Sequence, residues 1–318
     1  MKRLVIDIET VGIPWEEHDA YVREYLIKGL GEAEAEEEKR RGALSPFTGR
    51  IAVIGVLNVD DGRSCALIEM PGRREIQMWK EGDRTYITGT EKQILEKFWE
   101  FFDTSDRFIT FNGRHFDGPF LMIRSAVNGV TPRRDLVGRR YSYHPNCDLR
   151  EALNFMGTVY SKQMRFNLDL ACKTFGVESS KTDGMDGRSV ETMYRNGLHR
   201  EIADYCLEDV RATGELYLRL APSILCWNDD FTRAEKIAEA RANRLARNSD
   251  PDELPDESSF IRGVERSSVE LSSSIDRPEE DSEPERNDAD LRQQARVFEK
   301  LVRKPDSEDD DLDDIDTP

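Results

Sequence analysis

Two apolar runs, RIAVIGVLNV (50–59) and SCALIEM (64–70), are separated only by DDGR. The Asp-Gly step suits the tight turn of a β-hairpin, so these runs are expected to pair antiparallel. A third apolar run opens the chain, within MKRLVIDIET, and reads as a strand over 3–9. REIQMWK extends the sheet. EKQILEKFWEFF (91–102) has the spacing of an amphipathic helix, RFITF (107–111) that of a buried strand, and GPFLMIRSAV (118–127) that of another helix. An antiparallel meander that continues into strand–helix units specifies a mixed α/β fold. After Val130 the pattern turns helical, with short elements near 148–157, 167–176 and 188–197. A long last helix, HREIADYCLEDVRATGELYLRLAP, stops at Pro222. The charged stretch 14–45 reads as a helical, partly mobile elaboration between the first two strands.

Charge divides the chain unevenly. The whole chain carries −18, yet residues 249–318 alone hold 24 acidic and 9 basic side chains, a local −15. That segment is rich in Ser, Pro, Glu and Asp and nearly free of aromatics, so it cannot bury enough apolar surface to offset its ordering entropy. It is expected to be an acidic, mostly disordered tail. The organisation that follows is one α/β domain over 1–225, a basic helical extension over 226–248, and the tail over 249–318. Within the tail, Leu291, Ala295, Phe298, Leu301 and Val302 give residues 287–304 one apolar helical face. Such a face either docks in the groove of a protein partner or forms a transient helix without one. The five cysteines (Cys65, Cys147, Cys172, Cys206 and Cys226) form no C-x-x-C pair, which fits a reduced cytoplasmic protein without a zinc site. No apolar run approaches the ~20 residues of a membrane span, and the run before Asp7 is too short for a signal peptide.

The first strand carries an anomaly. Strand side chains alternate faces, so Asp7 and Glu9 share one face while Leu4, Ile6 and Ile8 take the other. Two carboxylates on one face of an apolar strand repel each other and resist desolvation. A similar intrusion occurs in the last helix, where Ile202, Tyr205, Cys206, Val210, Thr213, Tyr217 and Leu220 form the apolar stripe. Asp209 lies in that stripe one turn after Tyr205, where an inward Asp needs a basic group, hydrogen-bond donors or a cation, a structural hydrogen bond being the ordinary case; Asp204, Glu208, Arg211, Glu215 and Arg219 lie around the solvent side. Asp117, in FITFNGRHFDGPFL, sits just past the carboxyl end of a strand, where open α/β sheets usually place ligands. It equally suits a helix N-cap. Concentrated carboxylates need positive charge, and oxygen-only donors select hard cations such as Mg²⁺ or Mn²⁺. Two such ions roughly 4 Å apart clamp the attacking and leaving oxygens of a phosphodiester displacement. A haloacid-dehalogenase-type phosphatase would need Asp-x-Asp, and Glu9 stands at the second acid.

DIET, NGRHFD and YCLED stand in the order and spacing of the three exonuclease motifs of the DEDD superfamily, which the chain resembles. Its Tyr-x-x-x-Asp motif is that of the tyrosine subclass, found in the proofreading domains of family-A and family-B DNA polymerases. The histidine subclass would need His where Asp204 stands. More closely, HPNCDLREAL, LACKTFGV, KTDGMDGRSV and EIADYCLEDV resemble the predicted 3′–5′ exonuclease family related to the family-B polymerase proofreading domain. The likeness covers roughly residues 1–221. It implies a ribonuclease-H-like mixed sheet flanked by helices, and metal-dependent removal of nucleotides from the 3′ end of single-stranded DNA. It further implies Asp7, Glu9, Asp117 and Asp209 as ligands of two Mg²⁺ or Mn²⁺ ions. Tyr205, whose ordinary pKa of about 10 makes it a poor base at neutral pH, positions the water. Thr10, Asn112, Phe116, Arg165 and Lys181 are implied on the substrate side; Asn112 alternatively fixes the Asp117 loop.

TPRRDLVGRRYSYH (131–144) interleaves arginines with Tyr141 and Tyr143, and SKQMRF adds Lys162 and Arg165. Basic residues with aromatics suit single-stranded nucleic acid, and a solvated loop with core tyrosines suits the pattern equally. Nothing selects against a 2′-hydroxyl, so an RNA 3′–5′ exonuclease is the alternative enzyme, and a nucleic-acid-binding scaffold the alternative of another class. Any polymerase partner acts in trans. If the acidic tail competes with nucleic acid for the basic loop, removing 249–318 raises single-strand affinity at low salt; unchanged affinity removes that idea.

Overall fold

The computed structural model describes residues 2–73, 75–102, 105–158, 165–179, 189–233 and 236–237. The chain divides into Met1–Asp250 and Pro251–Pro318. The second unit, with the acidic tail and its candidate helix, lies outside the described residues, as does most of the 226–248 extension.

Seven strands form one sheet: β1 (Arg3–Gly12), β2 (Gly49–Asn58), β3 (Ser64–Glu69), β4 (Gln77–Glu81), β5 (Arg84–Gly89), β6 (Arg107–Thr110) and β7 (Asn146–Asp148). Their order is β4-β5-β3-β2-β1-β6-β7. β1, β2 and β3 form the expected antiparallel meander, and β6 and β7 run parallel to β1. The segment β3-β2-β1-β6-β7 is the ribonuclease-H-like arrangement, so the chain has the α/β fold anticipated above. The helices are α1 (Ala20–Ile27), α2 (Glu32–Arg40), α3 (Glu91–Phe102), α4 (Asp117–Val127), α5 (Leu149–Leu153), α6 (Leu168–Thr174), α7 (Ser189–Arg195) and α8 (His199–Leu220). The 14–45 elaboration is the α1–α2 pair. None of these helices is long and apolar enough to cross a membrane.

Both faces of the sheet are covered, which explains why β2 reads as an unbroken apolar run instead of an alternating one. On one face Leu4, Ile6, Ile8, Ile54 and Leu67 pack against Phe98, Trp99 and Phe102 of α3 and Phe120 of α4. Full burial of such side chains contributes about 1.5–3 kcal/mol each. On the other face Val5, Val53 and Ile109 pack against Ile202, Cys206, Val210 and Tyr217 of α8. The odd-numbered residues of β1 therefore face α8, and Asp7 and Glu9 are among them.

Two strands departed from the sequence reading. RTYITG forms β5, inserted between β3 and the extension strand β4. The chain passes β3, crosses to the exposed edge as β4, and returns between them; turn spacing alone does not encode that detour. β7 is only three residues long, too short for a periodic signal.

Candidate active site

The site lies where β1, α4 and α8 meet. β1 delivers Asp7 and Glu9 by strand alternation, and α8 delivers Asp209. Carboxylate oxygens of these three residues lie within 4.8 Å of one another, although Asp209 is about two hundred residues from the others in sequence. Glu9 is buried, while Asp7 and Asp209 are half-buried. Among the described residues, no lysine, arginine or histidine forms an ion pair with Asp7 or Glu9.

The approach of α8 depends on Gly55, which stands opposite Asp7 in the β1–β2 register. A Cβ there would sit 2.7 Å from Cys206 Sγ and 3.2 Å from Val210 Cγ1. Glycine lets the helix descend onto the sheet, and the Cys206 thiol then lies 3.6 Å from both the main-chain oxygen and Oδ2 of Asp7. The thiol donates, and burial together with its acid neighbours keeps its proton in place.

Asp117 is the first residue of α4; Phe116 occupies the N-cap position. Its carboxylate is therefore no helix cap. Oδ1 accepts the N–H of Ile8 at 3.0 Å. The parallel β1–β6 pairing ends at Val5↔Ile109, which leaves that N–H for the Asp117 side chain and fixes the carboxylate against β1.

Electrostatics mark the cluster. Burial, reinforced by Asp117, Asp209 and Glu9, raises the Asp7 carboxyl well above the ordinary range. Burial with Asp209 and Asp117 does the same to Glu9. Burial, with Asp148 and Asp209 adding, pushes Asp117 up to about 7 against opposing main-chain N–H bonds. Tyr205, buried one turn before Asp209, is also raised by burial and by Asp209, Glu9 and Asp7. A site of hard oxygen donors whose charges oppose one another fits a hard divalent cation, because such an ion removes the penalty for ionising them.

The remaining predicted residues divide. Asn112, in the left-handed region at φ 69°, donates its N–H to Asp148 Oδ1 at 2.9 Å. Its side-chain oxygen accepts from Arg150 at 2.7 Å, so it fixes the loop leading to Asp117. Phe116 packs on Phe120, ring centroids 5.5 Å apart. Thr10 Oγ1 donates to Ala43 O at 2.7 Å and ties β1 to the segment after α2. Arg165 is solvent-exposed. Lys181 and Lys162 lie outside the described residues. His115 is exposed and lies 3.2 Å from Glu151.

Sequence reasoning missed three supporting residues. Gly55 carries a readable signal, a glycine inside a strand, which marks close backbone approach. Asp148 is fully buried and accepts main-chain N–H bonds from Asn112, Arg114, Arg150 and Glu151; an Asp before LREAL is a readable N-cap. Buried Arg114 has no comparable local signal. Asp204 and Glu208 are likewise not simply solvent-facing, since Tyr86 donates to Asp204 at 2.7 Å and Arg84 pairs with Glu208.

The family described as a predicted 3′-5′ exonuclease related to the exonuclease domain of PolB matches residues 48–244. The chain belongs to that family. The matched residues contain Asp117, Tyr205 and Asp209, while Asp7 and Glu9 precede them on β1, the strand paired with β2 and β6. Among solved structures, the family B DNA polymerase from the hyperthermophilic archaeon Pyrobaculum calidifontis is similar, at 21% identity and a TM-score of 0.48. That match covers 70% of this chain and 25% of the polymerase chain. No curated protein matches.

Proposed function

We propose that this chain is a 3′–5′ exonuclease that shortens single-stranded DNA using two divalent cations, Mg²⁺ or Mn²⁺, held by Asp7, Glu9, Asp117 and Asp209. The carrying observation is the convergence of carboxylates from β1 and α8 within 4.8 Å, with no basic partner for Asp7 or Glu9 among the described residues. Bound ions supply the missing positive charge and the Lewis acidity that phosphodiester hydrolysis needs.

The side chains have separable tasks. Asp117 is anchored through Ile8 N–H and would offer its carboxylate to a cation from the α4 side. Cys206 orients Asp7 through Oδ2. Tyr205 keeps its proton throughout the physiological range, because burial and its acid neighbours raise its pKa. It therefore orients the attacking water as a hydrogen-bonding hydroxyl, and proton removal falls to other groups. Asn112 holds the Asp117 loop, while Phe116, Thr10, Arg165 and Lys181 are assigned to the substrate side.

Digestion of 5′-labelled single-stranded DNA and RNA in Mg²⁺ or Mn²⁺, beside Asp7→Ala and Asp209→Ala, tests this reading. A ladder shortening from the 3′ end and lost in both variants is expected. Strand binding without cleavage by wild type would favour the scaffold alternative, and a ladder on RNA alone would reassign the substrate.

A further inference from the structure

The arginine-rich stretch 131–144 splits into two populations. Tyr143 is buried at 6% exposure, whereas Tyr141 is 61% exposed. Arg134 is turned inward to the Ser105 carbonyl oxygen. Arg139 and Arg140 are exposed, and among the described residues neither forms an ion pair. That is notable in a chain with 64 acidic against 46 basic residues. Arg3, Arg84, Arg124, Arg200 and Arg211 are all tied to carboxylates. Arg140 lies over the Tyr141 ring, 5.2 Å from its centroid, and Tyr141 is held at a φ of 64°, which L side chains rarely adopt.

This exposed trio is clamped to the loop that bears Asp117. The buried Arg114 guanidinium donates to the Arg139 carbonyl oxygen, to Ser142 O at 2.5 Å and to Asn146 O at 3.1 Å. Its Nε lies 2.9 Å from Glu151. The Arg114 N–H donates to buried Asp148 at 3.0 Å, which also holds Asn112. At the base, the Asn146 amide donates to Leu136 O at 2.7 Å. A Cβ at Gly118, beside Asp117, would stand 3.0 Å from that same Leu136 oxygen. Buried bonds thus fix the main chain at both ends of the segment while the side chains of residues 139–141 project into water.

We propose that Arg139, Arg140 and Tyr141 form a ledge that grips the sugar–phosphate backbone and one base of the single strand upstream of the bond being cut, an inference that rests on the nuclease reading. Guanidinium groups without carboxylate partners match phosphate bidentately, and an exposed ring offers a stacking platform. Rigid attachment to the Asp117 loop sets the distance between the gripped phosphates and the carboxylate cluster. Because the chain as a whole is negative, attraction to nucleic acid has to be local, and this ledge provides it.

The test measures polarisation of a labelled 12-nucleotide single strand with the full chain carrying Asp7→Asn. Arg139→Gln with Arg140→Gln should weaken binding about tenfold or more at ~50 mM salt and flatten the log–log salt slope by about 1.4. Tyr141→Ala should weaken it about fivefold with the slope unchanged. The charge-matched Arg63→Gln with Lys80→Gln should change little. In the otherwise wild-type chain, the ledge variants should raise KM for the strand. They should leave hydrolysis of the p-nitrophenyl ester of thymidine 5′-monophosphate, which has no upstream strand, unaltered. Unchanged strand binding, or equal loss on both substrates, overturns the ledge. A poly-glutamate peptide bound as tightly and lost in the same variants overturns it in favour of an acidic protein partner. If wild type cleaves neither substrate, the nuclease reading fails while the polarisation result still decides the ledge.

Discussion

Glu9 and Glu91 are equally buried, each 9% exposed, and sit on opposite faces of the sheet in opposite circumstances. Glu91, at the start of α3, accepts the Ile51 N–H at 2.9 Å, two bonds from Arg124 at 2.9 and 2.6 Å, and the Asn128 amide at 3.0 Å. Its charge is compensated within the protein. Glu9 has Asp7, Asp117 and Asp209 for neighbours and no base among the described residues, so folding alone leaves its charge uncompensated. On α8, Glu208 is compensated as Glu91 is. Burial works to raise the Glu208 carboxyl, but Arg211 and Arg84 outweigh it and hold it below the ordinary range, while Asp209 belongs to the carboxylate cluster. Burial by itself does not distinguish a structural acid from a functional one. The partner does.

The sharpest way to break this contrast is to neutralise each glutamate in turn. Glu9→Gln or Asp209→Asn should lower exonuclease kcat/KM by about 10³-fold or more, because several kcal/mol of charge stabilisation are removed. In cation-free buffer at pH 8 Glu9→Gln should also melt at a higher temperature than wild type. A Glu9→Gln enzyme with full activity would show that the cluster is not the site. Glu91→Gln should do the reverse. Leaving Arg124 buried without its charge partner costs about 3–5 kcal/mol in urea unfolding, with turnover per folded molecule unchanged.

Gly55→Ala tests whether helix descent assembles the cluster. Overpacking against Cys206 should cost about 1–3 kcal/mol, and activity should fall because Asp7 and Asp209 are forced apart. Wild-type activity together with an unshifted urea midpoint would mean the Cys206 contact is dispensable.

The pH dependence of stability completes the comparison. Asp7 and Glu9 are raised well above the ordinary range and Asp117 to about 7. Groups that hold protons more tightly when folded contribute stability that is complete below the unfolded pKa of about 4. That stability is lost as pH rises through the folded values. Cation-free protein should therefore melt at progressively lower temperature as pH rises from about 4 through 7 and beyond. Adding Mg²⁺ or Mn²⁺ at pH 8 should reverse much of the loss by binding only the folded cluster. A melting temperature indifferent to pH and cation would contradict the proposed electrostatics.

Much of this was open to inspection in one dimension. Alternation in LVIDIET put Asp7 and Glu9 on one face, helical spacing put Asp209 in the stripe of α8, and DDGR joined β2 to β3. Other features depend on partners distant in sequence. RTYITG became β5 because β3 offers it a parallel edge. Asp148 gained its central role because the Asn112–Arg114 loop folds over it. Asp204 and Glu208 seemed ordinary surface acids on the helical wheel, yet β5 brings Arg84 and Tyr86 to them.

The order of residues specifies which side chains share a face, since strand and helix periodicities are local properties of the backbone. It thereby placed three acids where water is scarce. Which acids meet a base and which meet one another depends on how the folded chain brings distant segments together. Coulomb energy depends on distance in space, and Gly55, the short β6 strand and the buried Arg114 clamp set those distances.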